Sequence, residues 1–246
     1  DAATEADLLA EMTRLAAAAR DKPDRRVQYL VRWIKEHLCP DLGRPGATWL
    51  PRRVLIFTEY ADTKSYLFDQ LQTAIAGSDR AEARIATFTG ELHKEEERED
   101  LQNAFNAPPA EHPLRILIAT DAAREGLNLH NHCKDLFHFD IPWNPSRMEQ
   151  RNGRIDRVGQ KGTVTCRYFL FDQRVEDQVL RTLVEKTSKI RAQLGSLSPV
   201  LSTDVVRILE HGISHDEAAA LKAKLESLGG PRPAEGPADA AAGPLE

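Results

Sequence analysis

Short apolar runs separated by helical patterns dominate the middle of the chain. Each run is continuous rather than alternating, which is typical of a strand buried on both faces of a parallel sheet. Strands are predicted at residues 54–57, 85–88, 115–119, 136–139 and 163–171. Because helical segments alternate with these strands, the pattern predicts an α/β domain of three layers, with helices on both faces of a mostly parallel sheet.

Helical periodicity also precedes and follows the sheet. Helices are predicted at residues 4–20, 23–38, 94–105, 175–194, 204–211 and 216–228. A further helix after the first strand is expected to have Asp62 or Thr63 as its N-cap, because both side chains can accept a hydrogen bond from the first turn. These patterns add N- and C-terminal helical extensions to the α/β domain.

The changes in pattern divide the chain into four predicted regions. They are a helical lead-in at 1–50, the α/β lobe at 51–171, a helical extension at 172–228 and a tail at 229–246. The tail is rich in Pro, Ala and Gly and is predicted to be disordered, since such a composition buries little apolar surface.

Composition excludes several classes of protein. The net charge of the chain is -5, so any contact with nucleic acid must come from a local basic surface. Three widely spaced cysteines, Cys39, Cys133 and Cys166, form no disulfide framework or metal knuckle, which fits a reducing cytoplasm. The pattern contains no apolar run long enough for a membrane span and no signal peptide, and the chain begins at Asp1. We therefore expect a cytoplasmic protein without a membrane partner, encoded as part of a longer chain.

The segment 144–160 carries the strongest chemical signal. A helix is predicted to open at Pro145 and Ser146, and on a continuous helix Gln150, Arg154 and Arg157 share one face. Met148 and Ile155 fall on another side and are expected to pack on the sheet. Two arginines on one face repel each other, but guanidinium groups match the oxygens of a polyphosphate. A solvated basic face remains the alternative, because charged helix faces are common.

Polar residues at strand ends form the second signal. Thr120 and Asp121 follow a buried strand, at the edge of a parallel sheet where ligands bind. Gly126, a few residues further on, permits close approach of the backbone. Thr58 and Gly90 follow two other predicted strands. An ordinary strand-to-helix connection, with the carboxylate of Asp121 as a cap, is the alternative interpretation.

Together these segments resemble motifs IV, V and VI of superfamily 2 helicases, over residues 51–171. Residues 150–157 read Gln-Arg-Asn-Gly-Arg-Ile-Asp-Arg, which is similar to the Q-R-x-G-R-x-x-R motif VI. The continuation Val-Gly-Gln at 158–160 resembles Swi/Snf-type ATPases. The Asn-Pro at 144–145 and the surrounding residues look most like the bacterial RapA/HepA-like branch, with the helicase-like protein of the DISARM phage-defence system as another candidate. The resemblance implies a C-terminal RecA-like lobe.

The resemblance also implies residue roles. Arg154 and Arg157 would be arginine fingers that reach the phosphates of ATP, and Gln150 would line the same cleft. Asp121, Gly126 and Arg151 would contribute to cofactor binding. Contacts with a nucleic-acid backbone would come from Thr58, Thr120 and Gly90.

A phosphate loop and an Asp-Glu box are missing from these 246 residues. ATP with Mg²⁺ is therefore expected to be bound mainly by an N-terminal RecA-like lobe of the same parent protein. Double-stranded DNA is the expected partner of this half of a motor, within a possible multiprotein complex at the bacterial nucleoid. A non-catalytic RecA-like binding module is the alternative. No metal site is predicted, because His130, His132 and Cys133 lack a fourth ligand at a recognisable spacing.

Overall fold

A computed structural model of the chain describes residues 2–19, 23–88, 95–121, 128–142 and 145–171, together with the single positions 181 and 223. It contains one five-stranded sheet in the order β2-β3-β1-β4-β5, and every neighbouring pair is parallel. The strands are β1 (Arg53–Thr58), β2 (Ile85–Phe88), β3 (Ile116–Thr120), β4 (Cys133–His138) and β5 (Thr165–Tyr168). The predicted α/β class and parallel sheet are confirmed.

Five α-helices accompany the strands within the described residues. They are α1 (Ala2–Ala19), α2 (Arg25–His37), α3 (Ala61–Ile75), α4 (Glu95–Asn106) and α5 (Pro145–Asn152). A short 3₁₀ turn at Ala81–Ala83 precedes β2. None of these helices is long and apolar enough to cross a membrane. The helices predicted beyond residue 171 and the tail at 229–246 lie outside the described residues, apart from positions 181 and 223.

The central strand β1 separates two apolar cores. All six of its residues are buried, as expected for a strand covered on both faces. Because side chains alternate along a strand, Val54 and Ile56 belong to one core while Leu55 and Phe57 belong to the other. The first core is shared with α2 and α3, whereas the second receives Phe105 at the end of α4. The sheet is therefore the middle layer of three.

Helix α2 contributes directly to the first core. Its N-cap is Asp24, whose carboxylate accepts a hydrogen bond from the Val27 amide at 2.8 Å. Leu30 and Ile34, on the inner face of the helix, are buried in the core beside the strands. The predicted lead-in at 1–50 thus includes a helix that packs against the lobe, and the four region boundaries stay predictions.

One predicted helix start is wrong and another is confirmed. The N-cap of α3 is Tyr60, which makes no side-chain capping bond, so the cap expected from Asp62 or Thr63 is not used. Helix α3 therefore begins earlier than the side-chain pattern indicated. Helix α5 begins at Pro145, as predicted.

Buried arginines line the edge where the strands begin, here called the amino edge. Arg53 opens β1, Arg84 immediately precedes β2, and Arg115 immediately precedes β3. The exposed fraction of each is 4% or less. Arg53 donates to the carbonyl oxygens of Leu114 (3.0 Å), Phe105, Ala107 and Ala104. Arg115 donates to the carbonyl oxygens of Leu50 (3.0 Å), His112, Leu114 and Pro109.

The arginines of the amino edge remain charged although burial disfavours the charged form. Burial lowers the pKa of Arg53 to about 10. Burial, followed by the charges of Arg84 and Arg53, also lowers the pKa of Arg115 to about 10. Arg84 differs because it also pairs with the Asp79 carboxylate at 2.5 Å. The edge is therefore held together mainly by guanidinium groups that satisfy buried backbone carbonyls.

The contacts divide the chain into two compact units. The first consists of residues 1–142 and 147–169 and contains the whole sheet. The second consists of residues 143–146 and 170–246, of which the structure describes only 145–146, 170–171, 181 and 223.

Candidate functional site

The carboxyl ends of β1, β3 and β4 meet at one edge of the sheet, here called the carboxyl edge. Parallel register places Thr58 of β1 beside Thr120 of β3, and Phe57 beside His138 of β4. Asp121 and Asp140 follow β3 and β4 directly. Ligands of open parallel sheets bind just beyond such strand ends. The edge brings together three of the residues predicted from sequence: Thr58, Thr120 and Asp121.

A buried ion pair connects this edge to α5. The Arg151 guanidinium donates to both carboxylate oxygens of Asp121, with Nε–Oδ1 at 2.6 Å and Nη2–Oδ2 at 2.9 Å. The side chains of Arg151 and Asp121 are only 2% and 6% exposed. Such a two-point contact fixes both distance and orientation. It holds the last turn of α5 against the end of β3.

Asp140 forms the centre of a second set of contacts. Its carboxylate accepts hydrogen bonds from the Thr58 hydroxyl and from the Glu59 amide, the latter at 2.8 Å. Arg151 donates to the Asp140 carbonyl oxygen at 2.9 Å, and its Nη2 lies 3.5 Å from the carboxylate. Glu59 in turn pairs with Arg147 of α5 at 2.8 Å. These contacts join the ends of β1 and β4 to the same helix.

His138 makes a third connection between the strand ends and α5. Its Nε2 lies 2.9 Å from the side-chain oxygen of Asn152, the last residue of the helix. Burial, and to a smaller extent the Arg151 charge, lowers the pKa of His138 to about 4. The imidazole is therefore neutral at physiological pH, and its Nε2–H donates to Asn152. Within the described residues the buried Nδ1 has no hydrogen-bond partner.

Residues 153–160 leave the helix and form a series of turns. Helix α5 ends at Asn152, so the prediction that Gln150, Arg154 and Arg157 share one helical face is wrong. Gly153 follows the helix end. A Cβ at this position would stand 3.3 Å from the Glu149 carbonyl oxygen, so glycine permits the close turn. Gln150 itself is exposed on α5.

The turns carrying the two arginines are anchored on both sides. Ile155 is fully buried in the second core, as the sequence predicted, and the Arg154 carbonyl oxygen accepts a hydrogen bond from the Leu129 amide at 3.0 Å. Gln160 closes the segment, because its side-chain nitrogen donates to the carbonyl oxygens of His130, Cys133 and Ile155 at 2.9–3.1 Å. The backbone that presents Arg154 and Arg157 is therefore fixed.

Two neighbouring positive charges result from this arrangement. Arg154 is partly buried, and its pKa is lowered by burial first and by the Arg157 charge second. Arg157 is exposed, and among the described residues it forms no ion pair. Two guanidinium groups that destabilise each other on a fixed backbone are suited to bind an anion, because the anion relieves their repulsion.

The remaining predicted residues have different surroundings. Thr58 and Thr120 are 0% and 4% exposed, so neither hydroxyl reaches the surface in this structure. Arg151 is occupied by Asp121 and Asp140 rather than open to a ligand. Gly90 and Gly126 lie outside the described residues. The roles assigned to all these residues stay predictions.

Sequence reasoning missed four residues that shape the site: His138, Asp140, Asn152 and Gln160. A signal existed for Asp140, since it follows an apolar strand in the same way as Asp121. A signal also existed for the burial of Arg151, which lies three residues after Met148 and four before Ile155, the two residues expected to face the sheet. Among the described residues, no group of three or more His, Cys, Asp or Glu side chains is placed to hold a metal ion.

The fold is a parallel α/β lobe in which α5 is held to the strand ends of the carboxyl edge and leads into a turn with two arginines. Residues 47–159 match the family model of the helicase conserved C-terminal domain. This segment runs from just before β1 through α5 to the anchored turns. The sequence of this segment is therefore similar to helicase conserved C-terminal domains, and the predicted RecA-like fold class is confirmed.

Several known proteins are similar to parts of this chain. The chain is 32% identical over 184 residues to the uncharacterized ATP-dependent helicase YqhH of Bacillus subtilis, which covers 72% of this chain and 30% of YqhH. It is 34% identical over 93 residues to the transcription regulatory protein SNF2 of Saccharomyces cerevisiae, covering 38% of this chain and 5% of SNF2. A solved structure, the C-terminal part of the Fun30 ATPase domain, aligns with a TM-score of 0.46 and 17% identity, covering 88% of this chain and 61% of that one.

The predicted resemblance to superfamily 2 helicases of the Swi/Snf type is thus confirmed at the level of the C-terminal lobe. The branch within that group stays a prediction. The chain spans less than a third of the length of YqhH and a small fraction of SNF2.

Proposed function

We propose that this chain is the second motor lobe of an ATP-dependent DNA translocase, and that Arg154 and Arg157 act on the phosphates of ATP bound by a first lobe. One observation carries the proposal. Two adjacent arginines lie on a turn that is anchored by the core through Ile155 and by three carbonyl bonds through Gln160. A merely solvated basic face would need no such rigid support.

The buried contacts of the carboxyl edge have a positioning role in this proposal. Arg151 and Asp121 hold each other and therefore leave no free group for direct contact with a nucleotide. Instead they lock α5 onto β3, and the helix leads directly into the arginine turn. The same holds for Thr58, whose hydroxyl is bonded to Asp140. Nucleotide and nucleic acid would be coupled through the position of α5.

The chemistry assigned to the arginines is stabilisation of charge. When the γ-phosphoryl group is transferred to water, negative charge shifts onto the leaving and equatorial oxygens. Guanidinium groups placed beforehand at that point stabilise the transition state more than the bound substrate. Gln150, exposed on α5 four residues before Arg154, would orient the attacking water. Mg²⁺ would accompany ATP on the first lobe.

DNA binding by this lobe is proposed to be weak and salt-dependent. The arginine-rich region offers fewer free cations than its sequence indicates, because Arg151 pairs with Asp121, Arg147 with Glu59 and Arg167 with Asp135. Arg157 and Lys161 remain exposed. Few phosphate contacts give a shallow dependence of affinity on salt and a low affinity. The first lobe would supply the remaining contacts with double-stranded DNA.

Within this class, we propose that the chain belongs to the bacterial RapA/HepA-like branch. The parent protein would act on the nucleoid, in the cytoplasm. The residues Asn144 and Pro145 and the 150–160 motif support this branch, as does the similarity to a bacterial helicase. More specifically, we propose that the parent protein acts in phage defence, in a complex with other proteins.

A comparison of the 246-residue chain with a parent protein containing both lobes tests the proposal. The chain alone is expected to hydrolyse no ATP, with or without double-stranded DNA, because it has no phosphate loop. The two-lobed protein is expected to show DNA-stimulated phosphate release. A non-catalytic binding module would instead leave phosphate release unchanged when this lobe is deleted from the parent. DNA-stimulated turnover that copurifies with the isolated chain would also contradict the proposal.

A further inference from the structure

An exposed apolar face runs along α1. Leu8, Met12 and Leu15 follow one another at helical spacing, and they are 61%, 65% and 54% exposed. Leu9, beside them, is 57% exposed. A row of large apolar side chains in water is unfavourable and usually marks a contact surface. The face is part of a helix of 18 residues that is rich in alanine.

A groove of matching character lies between α2 and α3. It has a volume of about 570 Å³, and its apolar lining comes from Pro23, Val27, Val31 and Ala74. Gln28 and Thr73, both exposed, stand among its polar lining residues. The groove is on the side of the sheet covered by α2 and α3, whereas Ile155 of the arginine turn is in the opposite core.

We propose that α1 folds back and docks its Leu8–Leu15 face into this groove of the same chain, as a third helix beside α2 and α3. Leu8 to Leu15 spans about 10 Å along a helix, enough to cover the part of α2 between Val27 and Val31, which spans about 6 Å. Five residues separate the end of α1 from the start of α2. Connections of 2–5 residues are typical of antiparallel helix pairs.

Charge complementarity supports the same occupant. Helix α1 carries three acidic residues and one basic residue, for a net charge of -2. Helix α2 carries four basic residues and one acidic residue, for a net charge of +3 with histidine neutral. Antiparallel docking brings the acidic helix alongside the basic one. Because the connection between α1 and α2 is short, α1 of the same chain has a far higher effective concentration at the groove than α1 of a second copy.

Amide hydrogen exchange of α1 in the purified chain tests the docking. An isolated alanine-rich helix of this length is only partly formed in water, so undocked α1 exchanges rapidly. Docked α1 is expected to be protected, to the same extent at low and high protein concentration. Replacing Leu8, Met12 and Leu15 together by Ser is expected to reduce that protection about tenfold or more. The matched control places Ser at Ala6, Ala10 and Ala17 on the opposite side of α1, and protection is expected to persist.

Two charge variants of the groove, which are expected to affect folding equally, test whether the groove binds α1. Gln28→Glu with Thr73→Glu adds negative charge facing the acidic helix and is expected to weaken the protection of α1. Gln28→Lys with Thr73→Lys changes the same two exposed positions and is expected to strengthen it. Equal protection in the two variants would overturn the proposal, as would rapid exchange of α1 in the unaltered chain. Protection that rises with protein concentration would assign the groove to a second copy and would equally overturn it. None of these outcomes depends on ATP turnover.

Discussion

The two edges of the sheet use buried arginine in different ways. At the amino edge, Arg53 and Arg115 donate mainly to backbone carbonyls and connect loops to strand starts. At the carboxyl edge, Arg151 donates to the Asp121 carboxylate and to Asp140, and connects a helix to strand ends. At the amino edge, each guanidinium group finds its hydrogen-bond partners within the fold. Arg151, at the carboxyl edge, is followed in the chain by the turn that carries Arg154 and Arg157.

From this difference we infer a different role for the amino edge and the carboxyl edge. Carbonyl oxygens that would otherwise be buried without a partner are satisfied at the amino edge, which is a contribution to stability. At the carboxyl edge, the Asp121 and Asp140 carboxylates pair with Arg151 and Glu59 pairs with Arg147, while the proposed anion chemistry is assigned to Arg154 and Arg157 on the turn that follows. Substitutions at the amino edge should therefore affect folding, and substitutions of the last two arginines should affect chemistry.

The largest loss of stability is expected for Arg53→Met. The substitution leaves several buried carbonyl oxygens without donors, and we expect it to lower the free energy of unfolding by about 3–5 kcal/mol. Chemical denaturation of the chain, followed by circular dichroism, measures this. Arg44→Ala is the control, because the Arg44–Asp41 pair is largely exposed and exposed pairs contribute little. A loss as small as that of the control would mean that water replaces the guanidinium at the amino edge.

A smaller loss is expected for Asp121→Asn at the carboxyl edge. The change removes the charge opposite Arg151 but leaves Asp140 nearby, so we expect about 2–4 kcal/mol. Combining it with Arg151→Met should cost less than the sum of the two single substitutions, because the pair is then removed as a unit. Additive losses in this cycle would show that the two side chains act independently and would contradict the contact described here.

The pH dependence of stability should come in part from His138. Its pKa is about 4 in the folded chain, against an ordinary value of 6.5, so the unfolded chain binds the proton first as the pH falls. Stability is therefore full above about pH 6.5 and is lost as the pH falls toward 4. The expected contribution between pH 7 and pH 5 is about 2 kcal/mol. His138→Gln, which can still donate to Asn152, should remove this part of the slope; an unchanged slope would show that the imidazole is protonated in the folded chain.

Much of the fold followed from the sequence because the strands are continuous apolar runs. All five were predicted close to their observed positions, and β2 was predicted without error. The end of α5 was not predicted, because residues 153–157 continue to resemble a helix in their charge spacing although the chain turns after Asn152. Helical spacing alone cannot report where a tight turn replaces the hydrogen bonds of the helix.

The site was predictable only in part, for a different reason. The guanidinium groups of Arg154 and Arg157 pointed to anion chemistry, and that reasoning needs no tertiary information. The pairing of Arg151 with Asp121 joins residues thirty positions apart, and Gln160 bonds to two carbonyls from another segment, those of His130 and Cys133. Such contacts are set by tertiary packing. The arginines of the amino edge were missed because arginine before a strand usually flanks it in solvent.

The smallest effect on stability and the largest on turnover are expected for Arg154→Ala and Arg157→Ala. Removing one of two repelling charges should leave the free energy of unfolding within about 0.5 kcal/mol of the original.

DNA-stimulated phosphate release by the two-lobed parent at saturating ATP tests the central claim most directly. Each variant is expected to lower kcat by about 10³-fold or more while ATP and DNA affinities change little. Arg154→Lys should rescue little of the loss, since a point charge does not reproduce the guanidinium fork. Arg44→Ala serves as the matched control at an exposed position. If both alanine variants kept a kcat near that of the unaltered protein, the anchored turn would be a solvated basic face and the proposed function would be wrong.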